Sequence, residues 1–183
     1  MDILRTTKKI KYLNIILNDK PFEEKIDKLF EGFDEFSVIT FVSSPKFFFD
    51  FVLKHKFQRV KLIIGIEDND INDKFNLINP EPQFEFFKSL PDEVFDKIKK
   101  DEIQIRYSKL GITTHSKLFI LKNKHKTRVA FGSANLTQKA LSNKNQFEEI
   151  IAYDNDHNPN LAKLMESRFE HIWSESIDYV PDR

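Results

Sequence analysis

A chain of 183 residues with 29 Lys+Arg against 29 Asp+Glu and no cysteine has no formal net charge. The lack of cysteine excludes disulfides, zinc–thiolate sites and a cysteine nucleophile. Zero net charge excludes a global basic field, so any affinity for nucleic acid must come from local asymmetry.

The length suits one domain with a substantial core, which we expect across residues 1–183, as the N-terminal part of a longer protein. No apolar run approaches the ~18 residues of a bilayer span, and residues 1–6 lack the apolar region of a signal peptide. A cytoplasmic protein without a membrane partner is therefore expected.

In chain order, residues 11–17 read as a first strand. Phe22, Ile26, Leu29, Phe30 and Phe33 recur at helical spacing after Pro21, and Gly32 and Asp34 end that helix. Residues 37–42 are β-branched and apolar, the pattern of a buried strand. Ser43-Ser44-Pro45 supplies a cap and a first-turn proline for a helix through Lys54, and residues 59–66 form the next strand. Strand, helix, strand at this length predicts a βαβ unit with parallel pairing.

Residues 67–79 are acidic and Asn-rich, with a calcium-loop spacing at Asp68, Asp70 and Asn72. Asp73 replaces the turn glycine and Asn79 the closing glutamate, so a solvated loop is expected. Residues 82–100 predict helix broken at Pro91, residues 103–108 a strand, and residues 109–114 a loop that delivers His115. Residues 136–141 predict a short helix. Leu161, Leu164, Met165, Phe169, Ile172 and Trp173 mark the apolar face of a C-terminal one.

The sharpest pattern runs from His115 to Glu149. His115-Ser116-Lys117 opens the apolar run Leu118-Phe119-Ile120-Leu121, and Val129-Ala130-Phe131 leads into Gly132-Ser133-Ala134-Asn135. Glu148-Glu149 then precedes Ile150-Ile151. Side by side, these strands gather four polar groups at neighbouring ends, with His115 and Lys117 on one strand face. Such a cluster is suited to hold a phosphate.

These motifs resemble the His-x-Lys-x4-Asp and Gly-Ser-x-Asn signature of the phospholipase D superfamily, with supporting likeness in residues 38–45, 60–66 and 132–173. The signature's Asp is Lys122 here, which counts against a lipid-hydrolysing member. Nuclease members tolerate that loss and carry a Glu after the Asn. The closest resemblance is to the nuclease domain of restriction and phage-defence endonucleases, also found at the N-terminus of defence helicases. The expected fold is α/β: a mixed, mostly parallel β-sheet flanked by helices, the phospholipase D-like sandwich.

The resemblance implies a metal-independent phosphodiesterase, an endonuclease that cleaves DNA through a covalent phosphohistidine without any cofactor. His115 would be the nucleophile, and covalent catalysis would split a hard displacement into two easier steps. A second histidine would protonate the leaving oxygen. The chain holds one copy of the motif, and His125, His157 and His171 lack a lysine two residues on within a strand-like run. The resemblance therefore implies a homodimer whose two motifs meet across a two-fold axis. Lys117 would neutralise charge on the non-bridging oxygens. Ser133 and Asn135 would donate hydrogen bonds to the same oxygens, and Gly132 would permit close approach of the backbone. One of Glu148 and Glu149 would orient the histidine or the lysine.

No metal site is expected, since no His/Asp/Glu cluster has ligand spacing. Lys122, Lys124, Lys126 and Arg128, in the turn joining the motif strands, are candidate contacts to the phosphate backbone. The expected partners are DNA, a second copy of the chain, and a fused or separate helicase. Two other readings stay open: a lipid-acting member of the superfamily, and a non-catalytic DNA-binding or dimerisation module of a larger helicase-nuclease.

Overall fold

The computed structural model describes residues 13–17, 22–41, 43, 45–65, 91–109, 114–142, 148–156 and 159–178. In chain order the elements are β1 (Leu13–Leu17), α1 (Phe22–Phe30), β2 (Glu35–Thr40), α2 (Pro45–His55), β3 (Arg59–Ile64), α3 (Asp92–Lys99) and β4 (Ile103–Tyr107). There follow β5 (Leu118–Lys122), β6 (Thr127–Gly132), α4 (Gln138–Leu141), β7 (Glu149–Asp154), α5 (Pro159–Ser174) and β8 (Ile177–Asp178). The calcium-like stretch at 67–79 and the first part of the expected helix at 82–90 lie outside the described residues.

The strands form one sheet in the order β1-β7-β6-β5-β2-β3-β4-β8. β2, β3 and β4 run parallel, as the βαβ pattern predicts. Every other pairing is antiparallel. The sheet is thus mixed and flanked by helices as expected, but mostly antiparallel in its pairings. The physical reason is the connections. β5 and β6 are joined by a four-residue hairpin, too short for a parallel crossover, and β7 pairs antiparallel with both β6 and β1.

Alternation along the strands divides the core in two. Phe36, Val38, Leu62, Phe119, Leu121, Ala130 and Ile150 face the side that carries α1 to α4. Ile39, Ile63, Leu118, Ile120 and Val129 face α5, which meets them with Ala162, Phe169 and Trp173. Many of the 19 phenylalanines are spent on the first side. The Phe30 ring meets Phe51 edge-on at 4.7 Å and Phe119 at 6.0 Å. Truncating a phenylalanine buried in this way costs about 3–5 kcal/mol. α1 stops where Gly32 takes φ +81°, a conformation that side chains with a Cβ rarely adopt. Leu164, expected on the apolar face of α5, is instead 63 % exposed.

This topology places the carboxyl ends of β2, β3, β4 and β6 and the amino ends of β5 and β7 along one edge of the sheet. The residues singled out in the sequence cluster there.

Candidate active site

β5 begins at Leu118, so His115 and Lys117 lie on the segment feeding the strand, not within it as the sequence suggested. They are nonetheless brought together. Lys117 Nζ lies 3.1 Å from His115 Nδ1 and donates to the His115 carbonyl at 3.0 Å. The Phe41 ring, just past β2, stands 4.4 Å from the imidazole and 5.5 Å from the Lys117 ammonium. It offers the cation a π face and one side of the imidazole an apolar wall. Burial pulls the Lys117 pKa below the ordinary lysine value, against the opposing charge of Glu148.

The crossing of this segment over β3 needs Gly65. A Cβ there would sit 2.1 Å from the Thr114 carbonyl oxygen. Thr114 is itself buried, so His115 enters the site from an anchored residue.

Asn135 is fixed from β2. Its Oδ1 accepts from Thr40 Oγ1 at 3.3 Å and from the Phe41 amide at 3.2 Å. The fully buried Thr40 hydroxyl also accepts from the Leu136 amide at 3.0 Å, and Ser43 Oγ donates to the Leu136 carbonyl at 2.9 Å. With Oδ1 engaged, the side-chain donors of Asn135 reside on Nδ2. The cap of α4 is Thr137, whose hydroxyl accepts from the Ala140 amide, so Asn135 is not needed as a helix cap.

Ser133 takes a different place from the one expected. Its single hydroxyl proton is donated to Glu148 Oε2, and its oxygen accepts from the Glu149 amide at 3.0 Å. It therefore links the Gly-Ser-x-Asn turn to Glu148 and to the start of β7. The two glutamates separate clearly: Glu148 is 3 % exposed and acts on Lys117, whereas Glu149 is exposed on β7. Gly132 also departs from expectation. A Cβ there would fall 1.9 Å from the Glu149 carbonyl oxygen, so the close approach it permits is to β7.

The turn cations are not beside this cluster. Leu118 pairs with Phe131 near the site, and Lys122 pairs with Thr127 at the other end of the same ladder. Lys122, Lys124, Lys126 and Arg128 thus occupy the opposite end of the sheet. Asp154 holds Lys126 at 2.5 Å and Arg128 at 2.6 Å, while Lys122 meets Glu166 at 3.0 Å. Burial raises the Asp154 pKa, but the hydrogen bonds from Arg128 and Lys126 outweigh it and hold the carboxyl below its ordinary value.

Sequence reasoning missed Thr40, Phe41 and Gly65. Only Gly65 carried a signal, as a glycine where a strand meets another stretch of backbone. Among the described residues no group of three His, Asp or Glu side chains could hold a metal ion, and no helix is long and apolar enough to cross a membrane.

A mixed sheet with His-x-Lys and Gly-Ser-x-Asn gathered at one edge defines the phospholipase D class. Residues 20–178 match the family described as the NgoFVII restriction endonuclease N-terminal PLD domain, and the chain belongs to that family. Solved structures share the fold at low identity. Nuc from Salmonella typhimurium, described as a phospholipase D family member, is 17 % identical with a TM-score of 0.55 over 91 % of this chain and 97 % of its own. NucT from Helicobacter pylori is 12 % identical with a TM-score of 0.52 over 91 % and 99 %. The phosphatidylserine synthase of Haemophilus influenzae Rd KW20 is 13 % identical with a TM-score of 0.61, and the match takes up 91 % of this chain but 40 % of that one. Comparison with curated proteins gives no match.

Proposed function

We propose that this domain is a DNA endonuclease of restriction or anti-phage defence, working without metal through a covalent phosphohistidine and completed by a second copy of the chain. The observation that carries the reading is the contact between Lys117 Nζ and His115 Nδ1 at 3.1 Å. It joins the candidate nucleophile to the candidate phosphate-binding cation. The family match to a restriction endonuclease domain supports DNA as the substrate.

At rest the ammonium of Lys117 donates to Nδ1, which leaves the imidazole proton on Nε2. An arriving phosphodiester competes for that ammonium with its non-bridging oxygens. Freed from Lys117, the ring carries its proton on Nδ1 and presents the Nε2 lone pair. Nε2 attacks phosphorus, and the P–O bond to the leaving strand breaks. His115 of a second copy, which enters as the imidazolium with a proton on each ring nitrogen, protonates the leaving oxygen from Nε2. That second imidazole, now neutral, takes a proton from water. The hydroxide attacks phosphorus, and the P–N bond breaks to return the electron pair to Nε2. Lys117 and Asn135 Nδ2 stabilise the charge that builds on the oxygens in both steps. Glu148 is a positioning residue. It holds the Ser133 turn, and with it the approach to Asn135, and its charge favours the protonated Lys117.

The test is cleavage of plasmid and single-stranded DNA in EDTA by wild type and His115→Ala, with sedimentation of the same samples. Cleavage without metal that disappears in a variant still dimeric is the expected result. Magnesium-dependent cleavage indifferent to His115→Ala would overturn it.

A further inference from the structure

A cleft of about 140 Å³ opens between the His115 segment and α5, lined by His115 with Lys109, Arg168, His171 and Glu175 among others. Arg168 and His171 are three apart and so share one face of α5. Lys109 lies two residues past β4. Several cations elsewhere in the fold are paired with acids: Lys61 with Glu170, Arg106 with Asp178, Lys122 with Glu166, and Lys126 and Arg128 with Asp154. Among the described residues no carboxylate pairs with Lys109, Arg168 or His171. Lys109 and Arg168 stand together with the His171 imidazole where His115 opens, and Glu175 is the one carboxylate among the lining residues.

We infer that this cleft is an anion subsite that binds the phosphate adjacent to the scissile one on the substrate strand. The inference rests on the phosphodiesterase reading above. The volume falls below the roughly 300–1,000 Å³ of pockets that enclose drug-sized ligands, so the cleft suits a phosphate group and not a whole nucleoside. Arg168 supplies a planar donor fork suited to phosphate oxygens, and Lys109 supplies a point charge. The end of α5 is also held in place before substrate arrives. Arg106 Nη1 donates to the Trp173 carbonyl at 2.6 Å, its guanidinium lies 4.4 Å from the Trp173 ring, and Lys61 meets Glu170 at 3.0 Å. Anchoring of this kind lowers the ordering cost of binding.

The experiment is binding of a fluorescent single-stranded oligonucleotide in EDTA across a salt series. It compares wild type, Arg168→Gln, Lys109→Gln, the double variant, and Lys163→Ala, an exposed residue of α5 away from the cleft. Each single variant should weaken binding roughly fivefold to tenfold. Each should also lower the slope of log affinity against log salt by ~0.7, the value for one lost single-strand phosphate contact. In cleavage, KM should rise more than kcat falls. Affinity and slope equal to wild type in the double variant would overturn the subsite. A wild type that binds with the full slope but never cleaves would sink the catalytic reading and leave the subsite standing. A wild type that does not bind would sink both.

Discussion

Lys122 Nζ lies 3.0 Å from Glu166 Oε1, so the residue at the Asp position of the phospholipase D signature ties the end of β5 to α5. Four residues of strand, roughly 14 Å, separate it from Leu118, and His115 lies farther still. The substitution that departs from the signature therefore sits in an ion pair away from His115. Lys122→Asp should leave DNA cleavage within twofold of wild type. A half-exposed ion pair is worth about 1 kcal/mol or less, and the variant would set two carboxylates facing each other. Thermal melting should fall by about 1–4 °C in a domain of this size. A large gain or loss of cleavage at constant stability would contradict this placement.

Glu148 and Glu149 should separate sharply in function. Glu148 is buried against Ser133 and its charge acts on Lys117; Glu149 is exposed. Glu148→Gln should lower cleavage roughly 10- to 100-fold, and Glu149→Gln by less than threefold. The pH profile adds a direction. Burial already lowers the Lys117 pKa, and Glu148 opposes that fall. Without the Glu148 charge the ammonium loses its proton at lower pH, so the alkaline limb of kcat/KM should move down in Glu148→Gln. An unmoved limb, or equal losses in the two variants, would show that Glu148 is not the partner of Lys117.

Periodicity made the βαβ unit, the motif strands and the C-terminal helix legible, because each buries side chains at a regular interval. It could not give strand direction, since an alternating run reads the same in a parallel or an antiparallel neighbour. The far placement of the hairpin was open to counting: an antiparallel pair whose motifs lie at its two outer ends must turn at the other end of the sheet. The role of Ser133 was not legible, because the direction of its proton depends on where Glu148 sits 15 residues later. Nor was the support from Thr40 and Phe41, whose contacts with Asn135 span 95 and 94 residues of sequence.

Gly65 should be a position where activity falls further than stability. A Cβ would lie 2.1 Å from the Thr114 carbonyl and 3.1 Å from Phe41 Cα, both backbone atoms. The chain must shift, and what shifts is the entry of His115 and its Phe41 wall. Gly65→Ala should cost about 1–3 kcal/mol by overpacking and reduce kcat by more than tenfold in protein that is still folded. Circular dichroism melts alongside single-turnover cleavage would read both. A variant with the stability loss but wild-type kcat would mean that the crossing does not position His115.

His55 should give the fold an acid limb. Its side chain is 5 % exposed, packed on Phe30, Phe51 and Phe57, and Nε2 has no hydrogen-bond partner among the described residues. Burial lowers its pKa, Asp27 at 3.7 Å opposes the shift, and Lys54 adds to it. The sign follows from linkage. The unfolded chain binds a proton near the ordinary value of 6.5 and the folded chain only at lower pH. The stability contributed by the neutral ring is therefore fully present above 6.5 and is lost as pH falls through the depressed folded value. The urea midpoint of wild type should drop between pH 7 and pH 5, and His55→Leu should shallow that drop. Parallel pH dependences for the two proteins would show that His55 stays neutral throughout or that another group sets the limb.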